Sequence, residues 1–199
     1  MSGEQAHYVI YVINARRFKP NDEIMIFDGL GNSYKAQVIS VNKNEIYGKI
    51  ISSSYKTPIF KVRLYTAIPK GDRFEWLIEK CAEIGVSEIT SVNTKRSVIA
   101  GFSKNKSERY EKISIAASSQ CGRNDVMKIN EPLDFRNVCK NAVANKRLIN
   151  ILPWESESQS FFSGKLTSSS HNAANIFIGP EGGFENEEVE FAKSQEYAQ

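Results

Sequence analysis

Residues 175–188 read NIFIGPEGGFENEE, and the order of residue types in them decides how the fold is read. Ile176, Phe177 and Ile178 form a short apolar run, the pattern of a buried strand's last residues. Gly179, Gly182 and Gly183 permit backbone angles that side chains forbid. Glu185, Glu187 and Glu188 suit the first turn of a helix, where the backbone carries partial positive charge. The stretch reads strand, tight glycine loop, helix. In an open α/β sheet that junction is where ligands bind. The simpler alternative is a well-made turn.

Working outward, the chain has 199 residues, room for one or two domains, and its 41% hydrophobic content suffices for a core. No apolar run approaches the length of a membrane span. The amino terminus, MSGEQAHYVIYVINARR, carries its basic residues after its apolar part, the reverse of a signal peptide. Cys81, Cys121 and Cys139 are odd in number, widely spaced and without a CxxC pair, which fits reduced thiols in a cytoplasmic protein. With only His7 and His171, neither a metal site nor a Ser-His-Asp triad is expected. The charge is unevenly spread. Residues 95–147 hold twelve Lys or Arg against five Asp or Glu, and residues 181–199 hold six acids and one base. Such a division fits a polyanionic partner on one surface, or simply a solvated charged face.

The first fifty-odd residues alternate apolar and polar positions through IMIFDGLGNSYKAQVISVNKNEIYGKIISSS, with hairpin punctuation at 29–32 and 42–44. They predict a small barrel or meander. After Lys56, Thr57 and Pro58 the rhythm changes. KVRLYTAIP reads as a strand. GDRFEWLIEKCAEIGV reads as an amphipathic helix, with Asp72 and Glu75 spaced as a capping box. SEITSV is a strand, SERYEKISIAASSQCGR and DFRNVCKNAVANK are helices, RLINILPW and NIFIG are strands, and ENEEVEFAKSQEYA is a last helix. Strands alternating with helices imply a mainly parallel sheet covered on both faces.

Several polar features stand along this α/β part: Lys80, Glu83 and Gly85; Arg96-Ser97; Gln120 and Arg123 at a helix end; and the glycine loop. Singly, each has a plain reading as a surface pair, a helix cap or a loop decoration. In order they spell K-x-x-E-x-G-V, R-S, Q-x-x-R and I-G-P-E-G-G-F. That order resembles the RsmE-type 16S ribosomal RNA uridine-N3 methyltransferases of the SPOUT superfamily, and the resemblance covers essentially the whole chain. It implies a PUA-like β-barrel for RNA binding over 1–57 and a SPOUT-type α/β knot domain with a mainly parallel sheet over 58–199. It further implies a homodimer that transfers a methyl group from S-adenosylmethionine to N3 of a uridine in 16S ribosomal RNA or the small ribosomal subunit.

By the same resemblance, Leu152, Pro153, Ile178, Gly179, Glu181, Gly182 and Gly183 border the methyl donor. Arg123 is the candidate to stabilise the anion that develops on the base. Glu181 either takes its proton or balances the sulfonium charge. Arg96 and Gln120 are expected at the base, and Arg16 or Arg17 on the RNA. Glu185 stands where the family has a Ser or Thr helix cap, so Asn186 is expected to take over that cap. The family continues past the position of Gln199 with a segment of the type S-L-G-x-R-I-L-R-x-E-T-A. That segment threads the knot, lines the adenine pocket and builds much of the dimer interface, so the 199-residue chain is expected to bind cofactor poorly without it. The alternative to an enzyme is a non-catalytic RNA-binding module.

Overall fold

The structure is a computed structural model that describes residues 11–12, 18–42, 45–56, 58–98, 101–142, 148–155 and 171–195. The chain divides into two compact units, one of residues 1–57 with 115–126 and one of 58–114 with 127–199.

In the first unit β1 (Tyr11–Val12), β2 (Glu23–Phe27), β3 (Asn32–Val41) and β4 (Ile46–Tyr55) form an antiparallel sheet in chain order. Alternation does its expected work in β2 and β3. Ile24 faces Ala36 and Ile26 faces Tyr34 across the ladder, and Ile24, Ile26, Ala36 and Val38 form a small core with Phe18 and Tyr34 against it. The hairpin between them is closed by the Asp28 carboxylate, which accepts from the Leu30 amide at 2.8 Å and the Asn32 amide at 3.1 Å. β4 departs from expectation: every residue in it is exposed. Among the described strands it is an edge with β3 as its partner, so its apolar residues find no opposing layer. Residues 124–126 join the same unit through backbone bonds to the hairpin, Gly31 N to Asn124 O at 3.1 Å and Val126 N to Gly29 O at 3.0 Å.

The second unit is a five-stranded parallel sheet in the order β7-β6-β5-β9-β8. Its strands are β5 (Lys61–Thr66), β6 (Glu88–Asn93), β7 (Lys128–Asp134), β8 (Leu148–Ile151) and β9 (Ala173–Ile178), and its helices are α1 (Arg73–Glu83), α3 (Phe135–Ala142) and α4 (Asn186–Ser194). Helix α2 (Lys104–Gln120) begins in this unit and ends in the first. The four central residues of β6 are all buried, as in a strand covered on both faces. One aromatic cluster joins α1 to α2 through Phe74 and Tyr110, 5.1 Å between ring centres. Another gathers Phe135, Phe177, Phe184, Val189 and Leu152, with Phe177 stacked on Tyr65 at 4.8 Å.

Two local expectations give way. No strand is expected from the sequence between the second and third helices, yet β7 forms there. Its Lys128, Glu131, Pro132 and Asp134 hide the period, and an edge strand tolerates both the charges and the proline. The capping box at α1 does not form. Asp72 sits at the cap position without capping an amide, and the Glu75 carboxylate is taken up by Arg109 at 2.6 and 2.8 Å, a two-pronged ionic contact stronger than a single cap bond.

No disulfide joins Cys81, Cys121 and Cys139. Burial pushes the Cys81 thiol up to about 11, and Cys139 is fully buried while Cys121 is exposed. Among the described residues no helix is long and apolar enough to cross a membrane.

Two measurements check this packing. Phe177, with 0% exposure, loses its stacking on Tyr65 and its edge contact with Phe135 in Phe177→Ala, and urea denaturation should show a loss of about 3–5 kcal/mol. A thiol reagent should modify one cysteine of the native protein quickly, Cys121, and the other two only on unfolding.

Candidate functional site

In the loop that follows β9, crowding calls for glycine at one position and backbone angle at another. Ala67 N donates to Ile178 O at 3.0 Å and carries the parallel pairing to the end of the strand. A Cβ on Gly179 would lie 3.1 Å from the Phe184 ring, closer than real contacts allow without movement. Gly183 adopts φ 71°, the left-handed region that glycine occupies without strain. Its amide closes a four-residue turn on Pro180 O at 2.8 Å. Gly182 is different from the sequence expectation. Its φ lies outside the left-handed region, and a Cβ there would meet Arg96 at ordinary contact distances of 3.4 and 3.5 Å. The demand for glycine rests on Gly179 and Gly183.

The loop ends where Phe184 enters the core against Phe135, ring centres 5.0 Å apart. Glu185, not Asn186, is then the cap residue of α4, in extended conformation at φ −71° and ψ 148°. Its side chain also pairs with Arg96, and, as one half of a capping box, the Glu188 carboxylate reaches back and accepts from the Glu185 amide at 2.9 Å. Its other oxygen accepts from the Lys95 amide, also at 2.9 Å. Glu188 is only 4% exposed.

Lys95 and Arg96 belong to the turn after β6, closed by Thr94 N to Ser97 O at 2.8 Å. Both side chains fold onto the loop and its helix. Lys95 pairs with Glu187. Arg96 donates Nε to Glu185 at 2.7 Å and Nη1 to the Gly182 carbonyl. The structure thus places Arg96 against the glycine loop.

Glu181 faces α1. Its carboxylate accepts from the Lys70 amide at 3.2 Å, with the Arg73 guanidinium 3.8 Å away. The Lys70 amide, then its own amide, hold the carboxyl below its usual range. Ile178, Gly179, Pro180 and Glu181 also form one wall of a pocket of about 320 Å³, whose other walls are Thr66, Ala67 and Pro69 at the end of β5 and Arg73, Trp76 and Leu77 on α1.

Of the residues expected at the site, Arg96, Leu152, Pro153 and 178–183 all lie in the second unit. Leu152 is buried in the main core at the end of β8 and Pro153 beside it is exposed. Nearby, a Cβ on Gly183 would lie 3.3 Å from Glu155. Gln120 and Arg123 belong to the first unit. Gln120 is exposed at the end of α2. The Arg123 guanidinium makes a two-pronged pair with Asp125, at 2.7 and 3.3 Å, and its side chain is 11% exposed. Arg16 and Arg17 lie outside the described residues. Lys80 and Glu83 form the surface helix pair of their plain reading. The sequence reading missed Glu188. An acid three residues after a cap position is its signal, obscured because Glu185 is not a usual cap residue.

Comparison with known proteins decides the family. Residues 56–199 match a family described as RNA methyltransferase domain, and residues 2–51 match the RNA methyltransferase PUA domain. The chain belongs to the RNA methyltransferase family. This RNA methyltransferase is 31% identical over 198 residues to the ribosomal RNA small subunit methyltransferase E of Buchnera aphidicola subsp. Acyrthosiphon pisum, covering 96% of this chain and 74% of that one. It is 27% identical to the protein of the same name from Bacillus subtilis, covering 98% and 78%. Among solved structures, a Legionella pneumophila methyltransferase in complex with S-adenosylmethionine superposes with a TM-score of 0.73 at 26% identity, covering 91% of this chain and 74% of that one. A Neisseria gonorrhoeae ribosomal RNA small subunit methyltransferase E shares the fold, with a TM-score of 0.79 at 23% identity over 91% and 74% of the two chains. The small antiparallel sheet is the PUA part, and the parallel α/β unit is the SPOUT methyltransferase part.

The Glu188 bridge is directly testable. Glu188→Ala leaves two amides without their acceptor and should destabilise the second unit by about 1–3 kcal/mol. Glu188→Gln, which keeps one acceptor oxygen, should lose less. Hydrogen exchange at the Lys95 and Glu185 amides should accelerate in the alanine variant.

Proposed function

We propose that this protein methylates N3 of a uridine in small-subunit ribosomal RNA, using S-adenosylmethionine as methyl donor. The observation that carries the reading is the glycine loop at the carboxyl end of β9. It is held at both ends and bare of side chains where a ligand would approach, in a chain of the RNA methyltransferase family.

The residues present fit such a donor. Gly179 and Gly183 expose backbone, Leu152 and Pro153 border the loop's neighbouring strand end, and Ile178 offers apolar surface at 42% exposure. Glu181, ionised through the neutral range, supplies a fixed negative charge suited to a sulfonium cation. Its carboxylate is already committed to the Lys70 amide, so we assign it charge balance rather than proton removal. When bound, the donor supplies an electrophilic methyl group; the protein contributes position and field.

Uridine N3 carries a proton and becomes a good nucleophile as that proton leaves. A cation near the base then stabilises the negative charge, the role we assign to Arg123; to serve it, the guanidinium exchanges part of its contact with Asp125 for the base. Gln120, exposed, has an amide that both donates and accepts and suits a uracil edge. Arg96 holds the loop, and any contact it makes with substrate is shared with that task. We read residues 1–57 as the RNA-binding domain, with Arg16 and Arg17 on the RNA, and 58–199 as the methyltransferase domain of a cytoplasmic homodimer.

The test is transfer of a labelled methyl group to small-subunit RNA and to small subunits, with the product nucleoside identified by mass spectrometry. N3-methyluridine at one position supports the proposal. Cofactor and RNA binding with no transfer would instead identify an RNA-binding module. Within the loop, Gly179→Val should weaken S-adenosylmethionine binding at least about tenfold, a 1.4 kcal/mol effect. Gly182→Ala should change it less than about twofold, because its Cβ meets Arg96 at ordinary contact distance. Calorimetric titration, with circular dichroism to confirm folding, checks both.

A further inference from the structure

The glycine loop has two sides. A side chain on Gly182 or Gly183 would meet Arg96 or Glu155, toward the β6 turn and the end of β8. On the other side Gly179, Pro180 and Glu181 face α1 across the 320 Å³ pocket. Leu152 and Pro153 do not line that pocket, whereas Ile178, Gly179 and Glu181 border both it and the donor side. A loop that grips a methyl donor must have the acceptor beside it, since reacting atoms approach to about 3–3.5 Å.

The pocket's chemistry narrows the occupant. Its polar side chains are partly engaged already: Thr66 Oγ1 donates to Ala67 O at 3.0 Å, and the Glu181 carboxylate accepts from the Lys70 amide at 3.2 Å. Most of the lining is apolar, from Ala67, Pro69, Leu77 and Pro180, with charge confined to Arg73 and Glu181. Helix α1 buries Phe74 and Ile78 but leaves Trp76, a lining residue, 63% exposed. An indole face kept in solvent beside an apolar slot, with one guanidinium at the rim, suits a flat ring with apolar faces and polar edges. It lacks the cluster of cations a phosphate would call for.

We propose that this pocket receives the acceptor pyrimidine base, turned out of its RNA strand, with Trp76 as the stacking surface and Arg73 at the ring's polar edge. The assignment rests on the methyl-transfer reading above, and it sets the acceptor beside the donor across residues they share, Ile178, Gly179 and Glu181.

The test has one arm that needs no catalysis. The chain has two tryptophans, Trp76 and Trp154, so a Trp154→Phe background isolates the fluorescence of Trp76. Titration with a single-stranded RNA oligonucleotide bearing one central uridine should quench it, and the same oligonucleotide with an abasic centre should not. Equal responses to the two would overturn the assignment whatever the enzyme does. In the second arm, Trp76→Ala should lower kcat/KM for RNA about 5- to 150-fold, the range of a lost base–aromatic stack of about 1–3 kcal/mol. S-adenosylmethionine affinity should stay within about twofold, and Trp76→Phe should recover most of the loss. A parallel fall in cofactor affinity would make this the donor's pocket and overturn the assignment. Uridine-dependent quenching without any methyl transfer by the parent protein would support the base pocket and sink the methyl-transfer reading alone.

Discussion

The carboxylate of Glu188 ties together two segments that are far apart in sequence. One oxygen takes the amide of Lys95, in the turn after β6, and the other takes the amide of Glu185, at the cap of α4. Burying a carboxylate is costly unless donors replace the water it loses. Here both donors are backbone amides, one at a helix start whose partial positive charge favours an anion. The bridge therefore brings the β6 turn to the glycine loop. Arg96 is delivered with that turn, and its guanidinium then grips the Gly182 carbonyl and the Glu185 side chain.

The loop is thus held at both ends and along one flank. Its first end continues the β9 ladder through the Ala67 amide, and its last residue, Phe184, is sunk in the aromatic core. Glu181 is held on the opposite flank by the amide of Lys70. A glycine segment left to itself would sample many conformations. Four anchors confine it, and the chain can leave backbone bare at a ligand site without leaving it loose. Preorganisation of this kind is what a group-transfer enzyme needs, because small misplacements of donor and acceptor slow the reaction strongly.

The two units carry different chemistry. The parallel unit carries the loop, the Arg96 clamp and the pocket beside α1. The smaller unit carries the antiparallel sheet and, with residues 115–126, the end of α2 with Gln120 and Arg123. Residues 104–114 of α2 belong to the parallel unit and residues 115–120 to the smaller one.

The order of elements was legible in the chain itself. Period-two alternation marked β2 and β3, the strand-like segments KVRLYTAIP, SEITSV, RLINILPW and NIFIG marked β5, β6, β8 and β9, and the Gly-Pro-Glu-Gly-Gly stretch marked the site, because each signal is local to a few consecutive residues. Signals that depend on a partner were not legible. β7 forms through its neighbour β6 despite Pro132 and its charges, and the exposure of β4 depends on what packs on it. Glu75 has Arg109 as its partner rather than a cap amide, and Gly182 proves a permissive position only once Arg96 is seen beside it. The Glu188 bridge, the separate flanks of the loop and the exposed Trp76 face are also properties of tertiary structure. Each pairs residues whose sequence separation carries no local period, and burial and hydrogen-bond geometry alone decide which of several possible partners each one meets.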